Sequence, residues 1–304
     1  MINPQTSAID VSSVAAHYDD LDLFYRTIWG THVHHGYWST GKESTDEALE
    51  NLIHLVAKRA EIKSGACVCD IGCGYGGSAT IFAKHYGARV IGTTVSKKQY
   101  ELAQLFTAGL ANVNFMLCDG LTSGLPAGSF DAVVSVESSE HMQDKPAFFE
   151  EVSRLLRPSG HFVVAAWLSR EQPSASESKY LLEPICVEGR LPSMASASEY
   201  EGMLAAAGFR NIEFQDLTLN VRKTWSVCAL RCLTRISSNQ VLRQRLFDPT
   251  FPNRVFAKTV LRIWLAYRTG SMRYGLFSAR KSGAEYSDES GAESGAWRLL
   301  TNDF

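Results

Sequence analysis

Short apolar runs alternate with amphipathic stretches through the middle of the chain. The runs are rich in Val, Ile, Phe and Ala and have the length of buried strands. They fall at 67–71, 89–93, 113–118, 130–136 and 161–167. Between them, residues 76–86, 96–108 and 145–156 place apolar side chains at helical spacing. Strands and helices that alternate in this way predict a doubly wound α/β fold with a mostly parallel sheet.

Helical patterns precede this alternation. Apolar side chains recur at i, i+3, i+4 and i+7 within residues 17–29, which predicts a helix there. Ser44 and Glu47 have the spacing of a capping box and open a second helix. Residues 1–12 carry no periodic pattern and are expected to be loose.

A helical insert separates the last two predicted strands. A helix at 197–207 leads to a strand at 211–216, and the last strand is predicted at 272–279. The insert, residues 221–271, is helical in pattern and aromatic. Because an insert there lies over the carboxyl edge of the sheet, where α/β proteins bind ligands, we expect a cap that closes a substrate pocket. The alternative is a helix that thickens the core.

The composition excludes several classes of protein. The chain has 304 residues, is 45% hydrophobic and 20% charged, and has a net charge of −2. These values are ordinary for a globular enzyme, and a small net charge favours neither nucleic acid nor an anionic membrane as a partner. No apolar run is long enough to span a membrane and the amino terminus lacks a signal peptide, so integral membrane association is not expected and the expected compartment is the cytoplasm.

Seven cysteines are spread irregularly along the chain. Cys67, Cys69 and Cys73 straddle a predicted strand and its turn, where a zinc site would need CxxC-like pairs. These three cysteines are better interpreted as small apolar side chains that pack beneath a ligand. Cys228 and Cys232 lie one helical turn apart and are expected to pack in a helix.

A glycine-rich turn follows the first predicted strand. Residues 72–77 read Gly-Cys-Gly-Tyr-Gly-Gly, which approximates the GxGxxG of nucleotide-binding loops and lets the backbone approach a ligand closely. A dinucleotide site also needs an acid about 20 residues on, at the end of the second strand. The chain reads Gly-Thr-Thr-Val-Ser there, and the acid precedes the glycines instead, at Asp70. This order favours an S-adenosylmethionine (SAM) site over a dinucleotide site.

A cluster of titratable residues ends the fourth predicted strand. Glu137, Glu140 and His141 lie within five positions, at an edge where α/β folds place their chemistry. We expect His141 to act as base or proton relay. Glu140 would orient it or act as a counter-charge, and Glu137 would support the loop. The alternative is a structural role as a helix cap.

The chain resembles the γ-tocopherol C-methyltransferase group of class I SAM-dependent methyltransferases, which is related to sterol and cyclopropane-fatty-acid methyltransferases. The resemblance covers about residues 15–281. The stretches that carry it are 28–36, 70–77, 135–142, 191–193 and 266–277. It implies a Rossmann-like sheet with an antiparallel last strand, N-terminal helices and a helical cap. It also implies a division of the chain into N-terminal helices with an active-site lid (1–62), a SAM-binding core (63–220), a helical cap (221–271), a final core strand (272–281) and a disordered tail (282–304).

The resemblance also implies a set of cofactor-binding residues. Asp70 would bind the SAM amino group, Thr94 and Gln99 the ribose hydroxyls, and Asp119 the adenine amino group; a turn role is the alternative for Asp119. The remaining members of the set lie beside these groups. They are Tyr18, Gly72, Gly74, Gly120, Leu121 and Glu137.

A histidine- and aromatic-rich loop at 29–38 is expected to lie over SAM and the acceptor. Its histidines could suggest a metal, but no matched acidic ligands accompany them, so we expect no metal. Aromatic side chains could wall an apolar acceptor or simply belong to the core. The expected substrate residues are His34, His35, Tyr37, Trp38 and Trp167.

These observations predict a SAM-dependent methyltransferase for a small lipophilic acceptor. Carbon methylation of an aromatic or prenyl and terpenoid group is favoured. For methyl transfer the protein contributes positioning and desolvation, with a base where the acceptor must lose a proton. Indole or alkaloid methylation is an alternative, and a SAM-binding scaffold without transferase activity is a second one from a different class. A homodimer is left open.

Overall fold

Seven strands form one sheet in the described part of the chain, which comprises residues 1–4, 9–248, 250 and 256–283 of a computed structural model. They are β1 Cys67–Ile71, β2 Arg89–Thr94, β3 Val113–Leu117, β4 Phe130–Val136, β5 Leu156–Ser169, β6 Phe209–Asp216 and β7 Met272–Lys281. Their order is β3-β2-β1-β4-β5-β7-β6. β7 runs antiparallel to both of its neighbours, and the other pairs are parallel. The predicted fold class, including the antiparallel last strand, is confirmed.

Helices cover both faces of the sheet. Before and within the core they are α1 Val11–Asp20, α2 Asp22–Ile28, α3 Thr45–Arg59, α4 Gly77–Tyr86, α5 Lys97–Phe106, α6 Lys145–Leu155, α7 Ala175–Glu177, α8 Glu183–Gly189 and α9 Ala197–Ala206. Between β6 and β7 they are α10 Thr218–Val221, α11 Lys223–Ser238, α12 Gln240–Phe247 and α13 Phe256–Thr269. Of the expected tail, residues 284–304 lie outside the described residues.

The amino-terminal region differs from its prediction. The single helix expected over 17–29 is two helices that meet at Leu21, and α1 begins at Val11 because the Asp10 carboxylate caps it by accepting from Ser13 N at 2.8 Å. The expectation of a loose start is wrong at Ile2, whose backbone pairs with Met194.

Two further differences lie around β5. This strand begins at Leu156, which was expected to end a helix, because its backbone already pairs with Phe130 before the register shift that follows. Residues 175–189 form α7, a π-helical turn at Ser178–Leu182, and α8, none of which the apolar pattern predicted.

The sheet has an apolar core on each face, because alternate strand residues point to opposite sides. Val68 of β1 packs with the amino-terminal helices and α11, whereas Cys69 packs with α6 and α9. All seven cysteines are free, and six of them are buried. The six buried cysteines therefore serve as packing side chains.

The carboxyl ends of β1, β2 and β4 meet at one edge of the sheet. Their register places Asp70 beside Gly92 and Val134. Helix α1 lies across this edge, where the Asp19 carboxylate accepts from Ser96 Oγ at 2.5 Å and from Lys98 N at 3.1 Å. No helix in the described ranges is long and apolar enough to cross a membrane.

Candidate active site

A cavity of about 710 Å³ lies at the carboxyl edge of the sheet, and Val11, Val14 and Tyr18 of α1 contribute to its wall. Eight of the ten predicted cofactor residues line it. They are Tyr18, Gly72, Gly74, Thr94, Gln99, Asp119, Gly120 and Glu137. The other two, Asp70 and Leu121, lie outside its wall.

The glycine loop has no room for a side chain at Gly72. Its φ is +78°, in the left-handed region, and a Cβ there would fall within the van der Waals radius of Ser138 Cβ. Ser138 is itself fixed, because its hydroxyl donates to the Ile71 carbonyl at 2.6 Å and bonds Ser135 Oγ at 2.7 Å. The loop after β1 and the loop after β4 are therefore packed against each other directly.

Asp70 is buried beneath the glycine loop with an unsatisfied oxygen. The residue is 1% exposed, and its Oδ2 has no hydrogen-bond partner among the described residues. Burial raises the pKa of this carboxyl to about 7. A buried acceptor without a donor is costly, so a cationic amino group of a ligand would satisfy the site.

Thr94 and Gln99 form a polar pair at the end of β2. Thr94 Oγ1 donates to Gln99 Oε1 at 2.8 Å, and the Ser96 hydroxyl accepts from Gln99 N at 3.0 Å as the cap of α5. Both side chains are buried and face the cavity. They can offer an amide and a hydroxyl to a diol.

The loop after β3 corrects one expected contact. Asp119 lines the cavity while its Oδ1 accepts from Leu121 N at 3.0 Å, so the carboxylate also holds the turn. Leu121 packs with the core on the α6 side of the sheet and does not line the cavity. Gly120 is needed there, because a Cβ would lie 2.6 Å from Ile71 Cγ2.

A second cavity of about 560 Å³ adjoins the first. Four residues line both: Tyr18, Val33, Glu137 and His141. The rest of its wall is mostly apolar and aromatic, with His35 and Glu140 added. These residues are Tyr25, Trp29, His35, Glu140, Trp167, Gly189, Leu191, Trp225 and Ile263. We call the first the outer cavity and the second the inner cavity.

His141 lies at the boundary between the cavities with a defined tautomer. Its Nδ1 lies 3.0 Å from the Arg190 carbonyl, which can only accept, so Nδ1 carries the proton. Nε2 then accepts from the Tyr18 hydroxyl at 2.8 Å. Burial lowers the pKa of His141 to about 4, so the ring is uncharged at neutral pH. Arg190, not the expected Glu140, orients this histidine.

Glu140 faces the inner cavity as a buried carboxyl. Its Oε1 accepts from Trp167 N at 2.5 Å, and its Oε2 accepts from Ser139 Oγ at 3.3 Å. Burial, with the nearby Glu137 charge, raises the pKa of Glu140 to about 8. At neutral pH this group therefore carries a proton that it can donate.

Lys145 holds the turn that carries Glu140 and His141. Its ammonium is buried and donates to the Glu140 carbonyl at 3.1 Å, the Met142 carbonyl at 3.3 Å and the Ser193 hydroxyl at 2.9 Å. Burial lowers the pKa of Lys145 to about 8. A cation bound by several oxygens fixes this turn against the loop that precedes α9.

Glu137 is the most heavily bonded acid of the site. Its Oε1 accepts from His35 N, His35 Nδ1 and Tyr274 Oη at 2.6, 2.9 and 2.7 Å. Its Oε2 accepts from Trp167 Nε1 at 2.8 Å. Burial alone would raise the pKa of Glu137, but the interactions with His35 outweigh it and lower the pKa to about 2. The residue adopts a φ of +54° to reach these donors.

The loop that contains His35 contributes one expected substrate residue. His35 lines the inner cavity, and its Nε2 accepts from Trp225 Nε1 at 2.6 Å. Trp167 lines the same cavity and contacts the His35 ring edge-to-face. Both predicted residues therefore lie where an acceptor could bind.

Three expected substrate residues lie outside both cavities. His34 is buried and bonds the His35 carbonyl and the ring of His32. Tyr37 packs against the core, and its amide donates to the Ala48 carbonyl. Trp38 is buried beside α11, with Nε1 donating to the Glu43 carbonyl at 3.2 Å. In the described residues no group of three metal-binding side chains converges.

Sequence reasoning missed four residues whose hydrogen bonds hold the site: Lys145, Arg190, Trp225 and Tyr274. A lysine next to an acid–histidine cluster was a usable signal for the first. The contribution of Arg190 is a backbone carbonyl, which no side-chain motif encodes. Trp225 and Tyr274 come from elements far along the chain, and only the tertiary fold brings Trp225 to His35 and Tyr274 to Glu137.

Together, the strand order, the glycine loop over a buried acid and the paired cavities define a SAM-dependent methyltransferase of the class I fold. The buried Asp70 oxygen and the side-chain-free cradle at Gly72 fit an amino-acid-bearing cofactor. The chain belongs to the mycolic acid cyclopropane synthetase family, whose sequence profile matches residues 5–243.

Individual relatives agree with this assignment. The chain is 31% identical to 2-methyl-6-phytyl-1,4-hydroquinone methyltransferase of Synechocystis sp., over 90% of this chain and 88% of that protein. It is 28% identical to the chloroplastic tocopherol O-methyltransferase of Arabidopsis thaliana, over 88% and 81%. A mycolic acid cyclopropane synthase solved with S-adenosylhomocysteine (SAH) has the same fold, with a TM-score of 0.79, 21% identity and coverage of 92% and 99%. The expected resemblance to the tocopherol methyltransferase group is confirmed.

Proposed function

We propose that this methyltransferase acts on a small lipophilic acceptor and methylates a carbon of an aromatic or prenyl group. The inner cavity is the observation that carries the proposal, because its wall is aromatic and it adjoins the outer cavity at Tyr18 and His141. Trp225 of α11 and Ile263 of α13 complete that wall, which supports a capping role for the helices inserted between β6 and β7.

The outer cavity would hold the cofactor. Asp70 supplies an acceptor for its amino group, Thr94 and Gln99 offer partners for ribose hydroxyls, and Asp119 lies where adenine could donate. Bound SAM supplies an electrophilic methyl group on a positively charged sulfur. The protein contributes the placement of the acceptor, the exclusion of water and proton transfer.

Tyr18 and His141 would move the proton of a phenolic acceptor. The acceptor hydroxyl gives its proton to Tyr18 Oη while the Tyr18 proton passes to His141 Nε2, and the Arg190 carbonyl holds the imidazolium that forms. The resulting phenolate makes the neighbouring ring carbon nucleophilic. After methylation that carbon loses its hydrogen and the oxygen regains one, so one proton is released for each methyl group transferred.

The inner cavity supports the charge distribution that such a reaction needs. Glu140 is protonated at neutral pH and can donate to an acceptor oxygen. The faces and edges of Trp167 and Trp225 surround the His35 side of the cavity and would stabilise a positive charge that develops on an alkene acceptor. Both features suit an acceptor with one polar group and an apolar body.

The names of two relatives agree with this acceptor class. One is named for a hydroquinone that carries a phytyl chain, and another for tocopherol. Both acceptors combine an aromatic ring, a hydroxyl group and a long hydrocarbon.

The test is incubation with SAM carrying a ¹³C-methyl group and a panel of prenylated hydroquinones, terpenoids and indoles. Carbon-bound ¹³C-methyl on a hydroquinone or terpenoid, with matching SAH release, is the expected result. A methoxy or N-methyl product would show that the enzyme methylates oxygen or nitrogen and not carbon. SAH binding without transfer to any acceptor would favour the SAM-binding scaffold.

A further inference from the structure

The charge of the chain is distributed unevenly. Residues 221–271 contain ten lysines and arginines and one acid, so this segment has a formal charge of +9 while the rest of the chain has −11. The net charge of −2 conceals this separation. A basic segment of this size is an electrostatic footprint for an anionic partner.

Basic side chains from this segment converge on a surface groove of about 880 Å³. Arg222, Lys223 and Arg268 line it with Trp38 and Trp264, and none of its described lining residues is acidic. Lys223 Nζ lies 5.3 Å from a Trp38 ring centroid, and the Arg268 guanidinium lies 4.8 Å from a Trp264 ring centroid. Cations packed on indoles combine the residue types that suit a membrane–water interface.

Two exposed apolar strips lie on the helices that contribute to this groove. On α11, Leu230 and Leu233 are 62% and 74% exposed and share a face with Lys223. On α13, Leu261 and Leu265 are 62% and 43% exposed. They lie between Lys258 and Arg268 at helical spacing. The two helices pack together, and Trp264 Nε1 donates to Ser226 Oγ beside the groove.

An isolated exposed leucine needs no explanation, but a strip of leucines flanked by cations on each of two packed helices is an amphipathic surface. Its leucines can enter the acyl boundary of a bilayer while the lysines and arginines reach the headgroups. The opposite face of the same helices supplies Trp225 and Ile263 to the inner cavity. The surface and the cavity are therefore two sides of one layer.

We propose that the outer face of α11 and α13, with the groove between them, docks the protein on an anionic lipid surface. Charge complementarity and the exposed leucines together favour a lipid surface. A nucleic acid would bind the cations but would leave the leucines in water. The orientation brings the helices that cover the inner cavity to the bilayer, where lipophilic molecules concentrate.

Co-sedimentation of the full chain with vesicles tests the proposal. Binding should occur with equal parts phosphatidylcholine and phosphatidylglycerol, weaken as salt is added, and be absent with phosphatidylcholine alone. Arg222→Gln with Arg268→Gln should weaken binding by about 30-fold, since each basic residue at an anionic surface contributes about five- to sixfold. Leu261→Ser with Leu265→Ser should weaken it by at least about tenfold.

The matched control is Lys63→Gln with Lys84→Gln, which removes two exposed cations at the opposite, amino edge of the sheet and should leave binding unchanged. Calorimetric SAM affinity confirms that each variant is folded. Equal loss in the control, binding that persists in both surface variants, or absence of vesicle binding would each overturn the proposal. Binding of duplex DNA in place of vesicles, or self-association abolished by the leucine substitutions, would assign the surface to a different partner and also overturn it.

Discussion

The Tyr18 hydroxyl lies 2.8 Å from His141 Nε2, so a helix from the start of the chain and the loop after β4 are joined at the wall between the two cavities. The hydroxyl is the donor, because Nδ1 of the same ring is committed to the Arg190 carbonyl. Methyl transfer would take place across this wall. The contact therefore links α1, which forms part of the outer cavity wall, to the proposed base.

His141→Gln should lower turnover by about 10²- to 10⁴-fold, the usual contribution of a general base, and change SAM affinity only a few-fold. Turnover is measured as SAH release at saturating SAM, and affinity by calorimetry. Because burial lowers the pKa of His141 to about 4, turnover should stay constant as the pH falls from 7 to about 5. His85→Gln, at an exposed histidine of α4, is the control; equal losses in the two variants would remove His141 from the mechanism.

Asp70→Asn should weaken SAM binding by more than about 100-fold, because a cationic amino group loses its charged partner. In the wild type, affinity should fall as the pH drops below about 7, where the free carboxyl takes up a proton. Calorimetry between pH 5 and 8 measures both effects. Near-normal affinity of the variant would show that Asp70 does not contact the cofactor.

The same substitution should stabilise the ligand-free protein. The folded pKa of about 7 lies above the unfolded value of 3.8, so the folded state binds the extra proton and stability falls as the pH rises from about 4 to 7. Removing the charge should raise the free energy of unfolding by up to roughly 4 kcal/mol at pH 8 and by little at pH 4. Thermal unfolding without ligand at the two pH values gives the comparison, and a uniform shift at both would contradict the linkage.

Gly72→Ala should destabilise the protein by several kcal/mol and abolish SAM binding, since the new methyl group meets the immobile Ser138 while the backbone keeps a φ of +78°. Gly65→Ala separates the two effects. Gly65 has a φ of +80° and open space around it, so its replacement should cost about 1 kcal/mol through backbone strain alone. Denaturant unfolding of both variants measures the difference, and similar costs would mean that the loops around Ser138 can separate.

The sequence predicted the elements that local rules govern. The apolar runs located the strands, and the glycine turn is at the wall of the outer cavity. The two cavities could not be derived in this way. His35 and His34 are adjacent in the chain, yet only His35 reaches the inner cavity, while the His34 ring bonds the His35 carbonyl and the His32 ring.

The protonation states of the buried acids also could not be predicted from the sequence. Glu137 and Glu140 are three residues apart and belong to the same motif, but their pKa values move in opposite directions. The cause lies in His35, whose interactions outweigh burial and lower the pKa of Glu137. At Glu140, burial dominates and raises the pKa, although Trp167 N donates to this carboxyl. Donors that arrive from distant elements decide which carboxyl keeps its proton.

Glu137→Gln should show how much the His35 contact contributes to stability. The substitution replaces one carboxylate oxygen by an amide nitrogen, which cannot accept a hydrogen bond. At least one of the groups that now donate to Glu137 therefore loses its acceptor. The folded pKa of about 2 lies below the unfolded value of 4.5. The stabilisation is therefore complete above about pH 4.5 and is lost as the pH falls toward 2. At pH 7 the variant should lose about 3 kcal/mol.

Urea unfolding of Glu137→Gln from pH 7 down to pH 3 measures this effect. The wild type should lose stability progressively below pH 4.5, and the curves of the two proteins should converge there. Glu150→Gln, at an exposed position of α6, should follow the wild type throughout. A constant difference in unfolding free energy between Glu137→Gln and wild type down to pH 3 would contradict this prediction. It would mean that packing around the side chain, and not its charge, connects His35 to the sheet.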